Sequence, residues 1–264
     1  MQRRNEKRIC CGSTIKEDVF IGRKICILGD SVAKGVLLDD VRNRYCIAKA
    51  NLGTQLAQAL GCSVTNLAKF GSTVTDGLAR FEKQKDSLNE CRMVLMNFGG
   101  NDSDFLWQEI STAPDRVHEP KTTVDVFEKT YLKLIDCIRN FGITPVLLNL
   151  VPVDHARYFS WISRERNPDN ILKWLGGTTE FIYRWHEQYN IAVHRIAQTA
   201  GVKLIDIRSA FLARRDSFDY LSPDGIHPNH VGHSLIASTV LQQLKGLDQS
   251  NASVRWPLAA TSRT

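Results

Sequence analysis

Ile25-Cys26-Ile27-Leu28-Gly29-Asp30-Ser31 is a short apolar run that ends in a sharp Gly-Asp-Ser corner. Such a run reads as a buried strand, and the corner presents a serine hydroxyl at the strand's carboxyl end. With Lys24–Leu28 as the first, four further runs of the same kind follow: Ser63–Leu67, Arg92–Phe98, Thr144–Val151 and Val202–Ile207. Each is rich in β-branched residues and bounded by Gly, Asn, Pro or Asp. Between them, helical spacing covers Leu52–Leu60, Val74–Lys85, Val124–Phe141 and Phe181–Thr199, and His230–Leu244 closes the pattern. Alternation of strand and helix predicts an α/β fold, a three-layer α/β/α flavodoxin-like sandwich with a five-stranded parallel sheet in the order 2-1-3-4-5.

In such a sheet ligands bind beyond the carboxyl ends of the strands, near the point where strand order reverses. The first three strands end there in polar loops containing Ser31, Gly71 and Asn101. A serine hydroxyl is a weak nucleophile at neutral pH and needs a base, oriented in turn by a third group. Ser222-Pro223-Asp224-Gly225-Ile226-His227-Pro228 supplies both, in the chain order Ser, Asp, His that α/β hydrolases use. The expected catalytic residues are therefore Ser31, His227 and Asp224. The Ser31 and Gly71 amides and the Asn101 side chain form the expected oxyanion hole, glycine allowing close approach of backbone to substrate.

With Asn66-Leu67-Ala68-Lys69-Phe70-Gly71-Ser72-Thr73, Asn97-Phe98-Gly99-Gly100-Asn101-Asp102 and Asp224-Gly225-Ile226-His227-Pro228-Asn229 in this order, the chain resembles the SGNH hydrolases, or GDSL esterase/lipase family. The four residues that name the family correspond to Ser31, Gly71, Asn101 and His227. The resemblance runs from about Lys24 to Leu244 and implies the same three-layer fold. Trp107-Gln108-Glu109-Ile110 and the Ile182–Asn190 stretch are most similar to a bacterial branch of unassigned substrate. Val32 stands where the family often has Leu, a conservative departure.

Other chemistries fit less well. His227, His230 and His233 suggest a metal, but Pro228 and Asn229 start a helix after His227, so the three need not share a face. Gly29–Gly35 lacks the Gly-Lys-Ser/Thr ending of a phosphate loop. No cofactor is expected. The formal charge is +6, yet Arg3, Arg4, Lys7 and Arg8 against Glu6, with Arg255 and Arg263 against Asp248, carry most of the excess. The nearly neutral remainder argues against nucleic acid as a partner.

With 264 residues and 43% hydrophobic composition the chain suffices for one α/β domain. The expected organisation is an N-terminal extension at 1–22, a hydrolase domain at 23–247 and a flexible tail at 248–264. The basic N-terminus precedes no apolar stretch, and no apolar run is long enough to span a membrane, so a cytoplasmic location is expected. Cysteines 10, 11, 26, 46, 62, 91 and 137 are scattered and odd in number, which suits reduced thiols. Nothing in the pattern specifies an oligomeric state.

An excursion at 154–185 separates the fourth and fifth strands and holds Tyr158, Phe159, Trp161, Trp174, Tyr183 and Trp185. It reads either as a helical flap over the site or as extra helices packed on the sheet, with Tyr158, Trp161 and Trp174 as candidate substrate contacts. The resulting functional expectation is a serine esterase acting on a small, acetyl-type ester, with carbohydrate as one carrier. An O-acyltransferase or a non-catalytic binding protein on the same scaffold are the alternatives.

Overall fold

The computed structural model describes residues 23–250, with side chains through Lys245. The 1–22 extension, Cys10 and Cys11, and residues 251–264 of the tail lie outside the described residues; residues 248–250 continue the last helix.

Five parallel strands form the central sheet: β1 (Lys24–Gly29), β4 (Ser63–Asn66), β5 (Cys91–Asn97), β6 (Thr144–Leu148) and β7 (Lys203–Ile205), in the order β4-β1-β5-β6-β7. This is the expected 2-1-3-4-5 arrangement. The strands are shorter at several ends than the apolar runs, because residues such as Leu150 and Val151 are buried by the loops beyond β6 and not by the sheet ladder. Alternation within β1 divides the core: Cys26 and Leu28 face one helical layer, whereas Ile25 and Ile27 face the other.

The first layer holds α3 (Val74–Gln84), α5 (Val124–Asn140) and α8 (Glu180–Ala200). A capping box between Thr73 and Asp76 starts α3. In α5, Phe127, Tyr131, Leu134, Ile135 and Ile138 fall on one helical stripe and are fully buried, the Phe, Leu and Ile side chains each contributing about 1.5–3 kcal/mol of transfer free energy. The opposite layer holds α2 (Leu52–Leu60), α9 (Arg208–Leu212) and α10 (His230–Ser250).

Two additions position the site. After β1 and the four-residue helix α1 (Ser31–Lys34), β2 (Val36–Asp39) and β3 (Arg44–Ile47) form an antiparallel hairpin that the sequence pattern did not predict. After β6, α6 (His155–Ile162) and α7 (Pro168–Trp174) form the excursion, whose last residues, Tyr183 and Trp185, already belong to α8. Together with α4 (Trp107–Thr112) these helices bury a separate cluster around Phe105, Trp107, Tyr158 and Ile171.

Candidate active site

The Gly-Asp-Ser corner is built by short-range forces. Gly29 lies so close to β5 that an added Cβ would stand 2.5 Å from the Asn97 carbonyl oxygen. Asp30 donates its amide to that carbonyl at 3.2 Å and accepts the Val32 amide on its side chain at 2.9 Å, capping α1. Ser31 is thereby held as the first residue of α1, and it is 6% exposed at the floor of a cavity of about 340 Å³.

Across the chain, the Asp224 loop is closed by Ser222, whose amide donates to the His227 carbonyl at 2.7 Å. The Asp224 carboxylate accepts the amides of Ile226 at 3.2 Å and His227 at 3.1 Å, and its Oδ2 lies 2.7 Å from His227 Nδ1. His227 Nε2 lies 2.9 Å from Ser31 Oγ. An ionised carboxylate only accepts, so Nδ1 carries the donated proton and Nε2 accepts from the serine hydroxyl. Burial alone would raise the Asp224 pKa, but the hydrogen bond and charge of His227, with the two amides, hold it below the ordinary carboxylate range.

Gly71 and Asn101 line the same cavity as Ser31 and His227. Gly71 adopts φ 73°, a left-handed conformation that glycine takes without strain, and the amides of Gly71 and Ser31 have no backbone acceptor. Asp102 ties the two loops together: its carboxylate accepts the Val74 amide at 3.0 Å, joining the Asn101 loop to the start of α3 just beyond Gly71. Burial pushes the pKa of Asp102 up to about 7 and that of Asp30 up to about 6.

Of the aromatic candidates, Tyr158 and Trp161 line the cavity, while Trp174 packs behind it against Phe105 and Trp107. Tyr158 is fixed by donating its hydroxyl to Asp104 at 2.7 Å, and Trp161 carries the Arg164 guanidinium 3.9 Å above its ring. The excursion thus walls the cavity and packs with α4 and α8 around an apolar cluster of its own, separate from the two that face the sheet. Two rings that sequence reasoning missed stand nearer the imidazole: Tyr45 on β3, with centroids 5.1 Å apart, and Phe70, stacked at 5.7 Å. Phe70 immediately precedes Gly71, so its adjacency was a usable signal; Tyr45 had none without the hairpin.

His233 does not join a ligand set. Its Nε2 lies 2.9 Å from the Val36 carbonyl, anchoring the hairpin to α10, and His230 is exposed. No cluster of metal-binding side chains occurs among the described residues. No described helix is long and apolar enough to cross a membrane.

Comparison with known proteins agrees with this architecture. Residues 27–235 match the model of the GDSL-like lipase/acylhydrolase family. Among curated proteins, the uncharacterized protein YpmR of Bacillus subtilis is 25% identical over 229 residues, spanning 84% of this chain and 81% of that protein. The lipase/acylhydrolase from Enterococcus faecalis superposes with a TM-score of 0.61 at 21% identity, over 85% of this chain and 96% of its own. Axe2, an acetylxylan esterase from Geobacillus stearothermophilus, does so with a TM-score of 0.59 at 21% identity, over 86% and 95%. The chain belongs to the GDSL-like lipase/acylhydrolase family and is, as a member of it, a carboxylic ester hydrolase.

Proposed function

We propose that the chain hydrolyses a small acyl ester through a Ser31-His227-Asp224 triad and an acyl-enzyme intermediate. The carrying observation is the continuous Asp224–His227–Ser31 hydrogen-bond chain, with links of 2.7 and 2.9 Å, opening into one cavity. Ser31 Oγ attacks the ester carbonyl as His227 Nε2 takes the hydroxyl proton. The tetrahedral oxyanion is met by the Ser31 and Gly71 amides and the Asn101 side chain. Collapse breaks the carbon–oxygen bond to the alcohol, which leaves with the proton from His227. Water then attacks the acyl-serine, giving one proton to His227; the acid departs and that proton returns to Ser31.

An acetyl-type acyl group, with carbohydrate as one carrier, is the substrate reading that the site supports. Tyr45, Phe70 and Trp161 give the cavity flat apolar surfaces suited to sugar or aryl rings, and the structural neighbours include two acetylxylan esterases. The five described cysteines are free, which supports a reducing, cytoplasmic setting. We take 23–247 as the catalytic domain with its insertion at 154–185.

Fluorophosphonate labelling of wild type and Ser31→Ala, with p-nitrophenyl acetate hydrolysis followed in parallel, tests the proposal. Both signals should vanish in the variant while its melting temperature stays close to wild type. Labelling that persists in Ser31→Ala would overturn the assignment of the nucleophile.

A further inference from the structure

One wall of the cavity carries polar groups that the ester chemistry does not use. Arg166, in the turn after α6, lines the cavity and donates Nη1 to the Ile162 carbonyl at 2.7 Å. Its Nε is shielded from solvent and has no hydrogen-bond partner among the described residues. No carboxylate among the described residues forms an ion pair with it. Lys121, the other cation lining the cavity, is already paired with Asp104 at 2.7 Å. Arg166 is thus a cation without an ion-pair partner among the described residues, in the lining of the cavity that holds Ser31 and His227.

His186 faces the same cavity from α8. It is 7% exposed, and its Nδ1 also lacks a partner. Burial and then the nearby Arg208 charge push its pKa down to about 3, so the ring is neutral and acts as a hydrogen-bonding group, not as a second cation. A buried polar group left without a partner costs on the order of 1–3 kcal/mol, so two such groups among the residues lining one cavity point to a ligand that completes them.

The orientation of Arg166 narrows the ligand. With Nη1 turned to the Ile162 carbonyl, Nε and Nη2 are the guanidinium nitrogens without an acceptor among the described residues, and two parallel N–H groups match the two oxygens of a carboxylate. We propose that Arg166, assisted by His186, binds a carboxylate carried by the substrate, so that this site selects esters bearing an acid group. The inference deepens the hydrolase reading and, for turnover, rests on it.

Acetylated benzoates separate the two claims. Wild type should hydrolyse 3- or 4-acetoxybenzoate with a kcat/KM at least tenfold above that of the corresponding methyl ester. Arg166→Gln should remove that advantage mainly through a raised KM for the acid, with a smaller effect on the methyl ester, and Arg166→Lys should regain part of it. Equal rates on acid and methyl ester in wild type would overturn the carboxylate site while leaving the hydrolase intact. So would an equal loss on both substrates in Arg166→Gln.

Binding of the non-hydrolysable 3- and 4-acetamidobenzoates, measured by calorimetry, reads the same site without catalysis. Preference over their methyl esters, lost in Arg166→Gln and weakened in His186→Phe, is expected even if no ester is turned over. Tighter binding of 4-acetamidophenyl phosphate would overturn the carboxylate in favour of a phosphoryl group, and no binding of any acid would overturn the anion site.

Discussion

The Tyr45 ring stands edge-on to the His227 imidazole, with centroids 5.1 Å apart and planes inclined at 62°, so the β2–β3 hairpin reaches the loop that carries His227. The same ring meets Phe70 at 5.1 Å and Trp161 at 6.0 Å, joining three separate chain segments around one imidazole. Tyr45→Ala should lower kcat on p-nitrophenyl acetate about five- to tenfold, the rate equivalent of losing an aromatic pair worth about 1 kcal/mol. Tyr45→Phe keeps the ring and should remain close to wild type. An equal loss in both variants would place the effect in the hydroxyl, which faces the Asp224 charge.

Asn101 and Asp224 should fail in distinguishable ways. Asn101→Ala removes one donor to the developing oxyanion and should cost on the order of 10²–10³ in kcat with little change in KM. Asp224→Asn leaves the shape of the loop but replaces an acceptor by an amide, disfavouring the tautomer that leaves Nε2 unprotonated; a loss of about 10⁴ is expected. Steady-state kinetics on one ester checks both. A change confined to KM in Asn101→Ala would remove that residue from the oxyanion hole.

Glycine substitutions separate conformational strain from close packing. Gly71 and Gly225 have nearly the same positive φ, 73° and 76°. A Cβ on Gly71 meets nothing within 4 Å, whereas on Gly225 it would lie 2.7 Å from the Asp154 carbonyl oxygen and 2.8 Å from the Tyr158 amide nitrogen. Gly71→Ala should lose about 1–2 kcal/mol, the cost of left-handed backbone for an L-residue. Gly225→Ala should lose clearly more and uncouple the Asp224 loop from α6, measured by denaturant unfolding. Equal losses would show that the α6 contact relaxes freely.

The parallel sheet was legible because its central strands, β1, β5 and β6, are largely buried and read as continuous apolar runs, while Gly29, Gly71 and the Gly99-Gly100 pair mark where strands turn. Ser31, Asp224 and His227 were legible from residue type and chain order. The hairpin was not: β3, Arg44–Ile47, is largely exposed and lacks a buried alternating face, so its sequence carries no strand period. Arg166 and His186 were equally silent, since a polar side chain facing a cavity looks in sequence like one facing water. Trp174 shows the converse. Its composition suggested a substrate contact, but only packing decides which side of a ring faces the cavity.

The buried carboxyls make stability depend on pH in a defined direction. Asp102 is fully buried, and burial pushes its pKa from 3.8 up to about 7. The folded state therefore holds a proton that the unfolded state has already released, and stability falls as pH rises from near the unfolded value through the folded one. Asp30 adds a penalty of the same sign with a folded pKa of about 6. Asp102→Asn preserves an oxygen acceptor for the Val74 amide and removes one ionisation. The melting temperature of the variant minus that of wild type should therefore rise between pH 4 and 7 and level off above it. Scanning calorimetry across this range checks the sign: a flat difference would mean that the loop-linking carboxyl ionises as it would in water, and a falling one that the fold lowers its pKa.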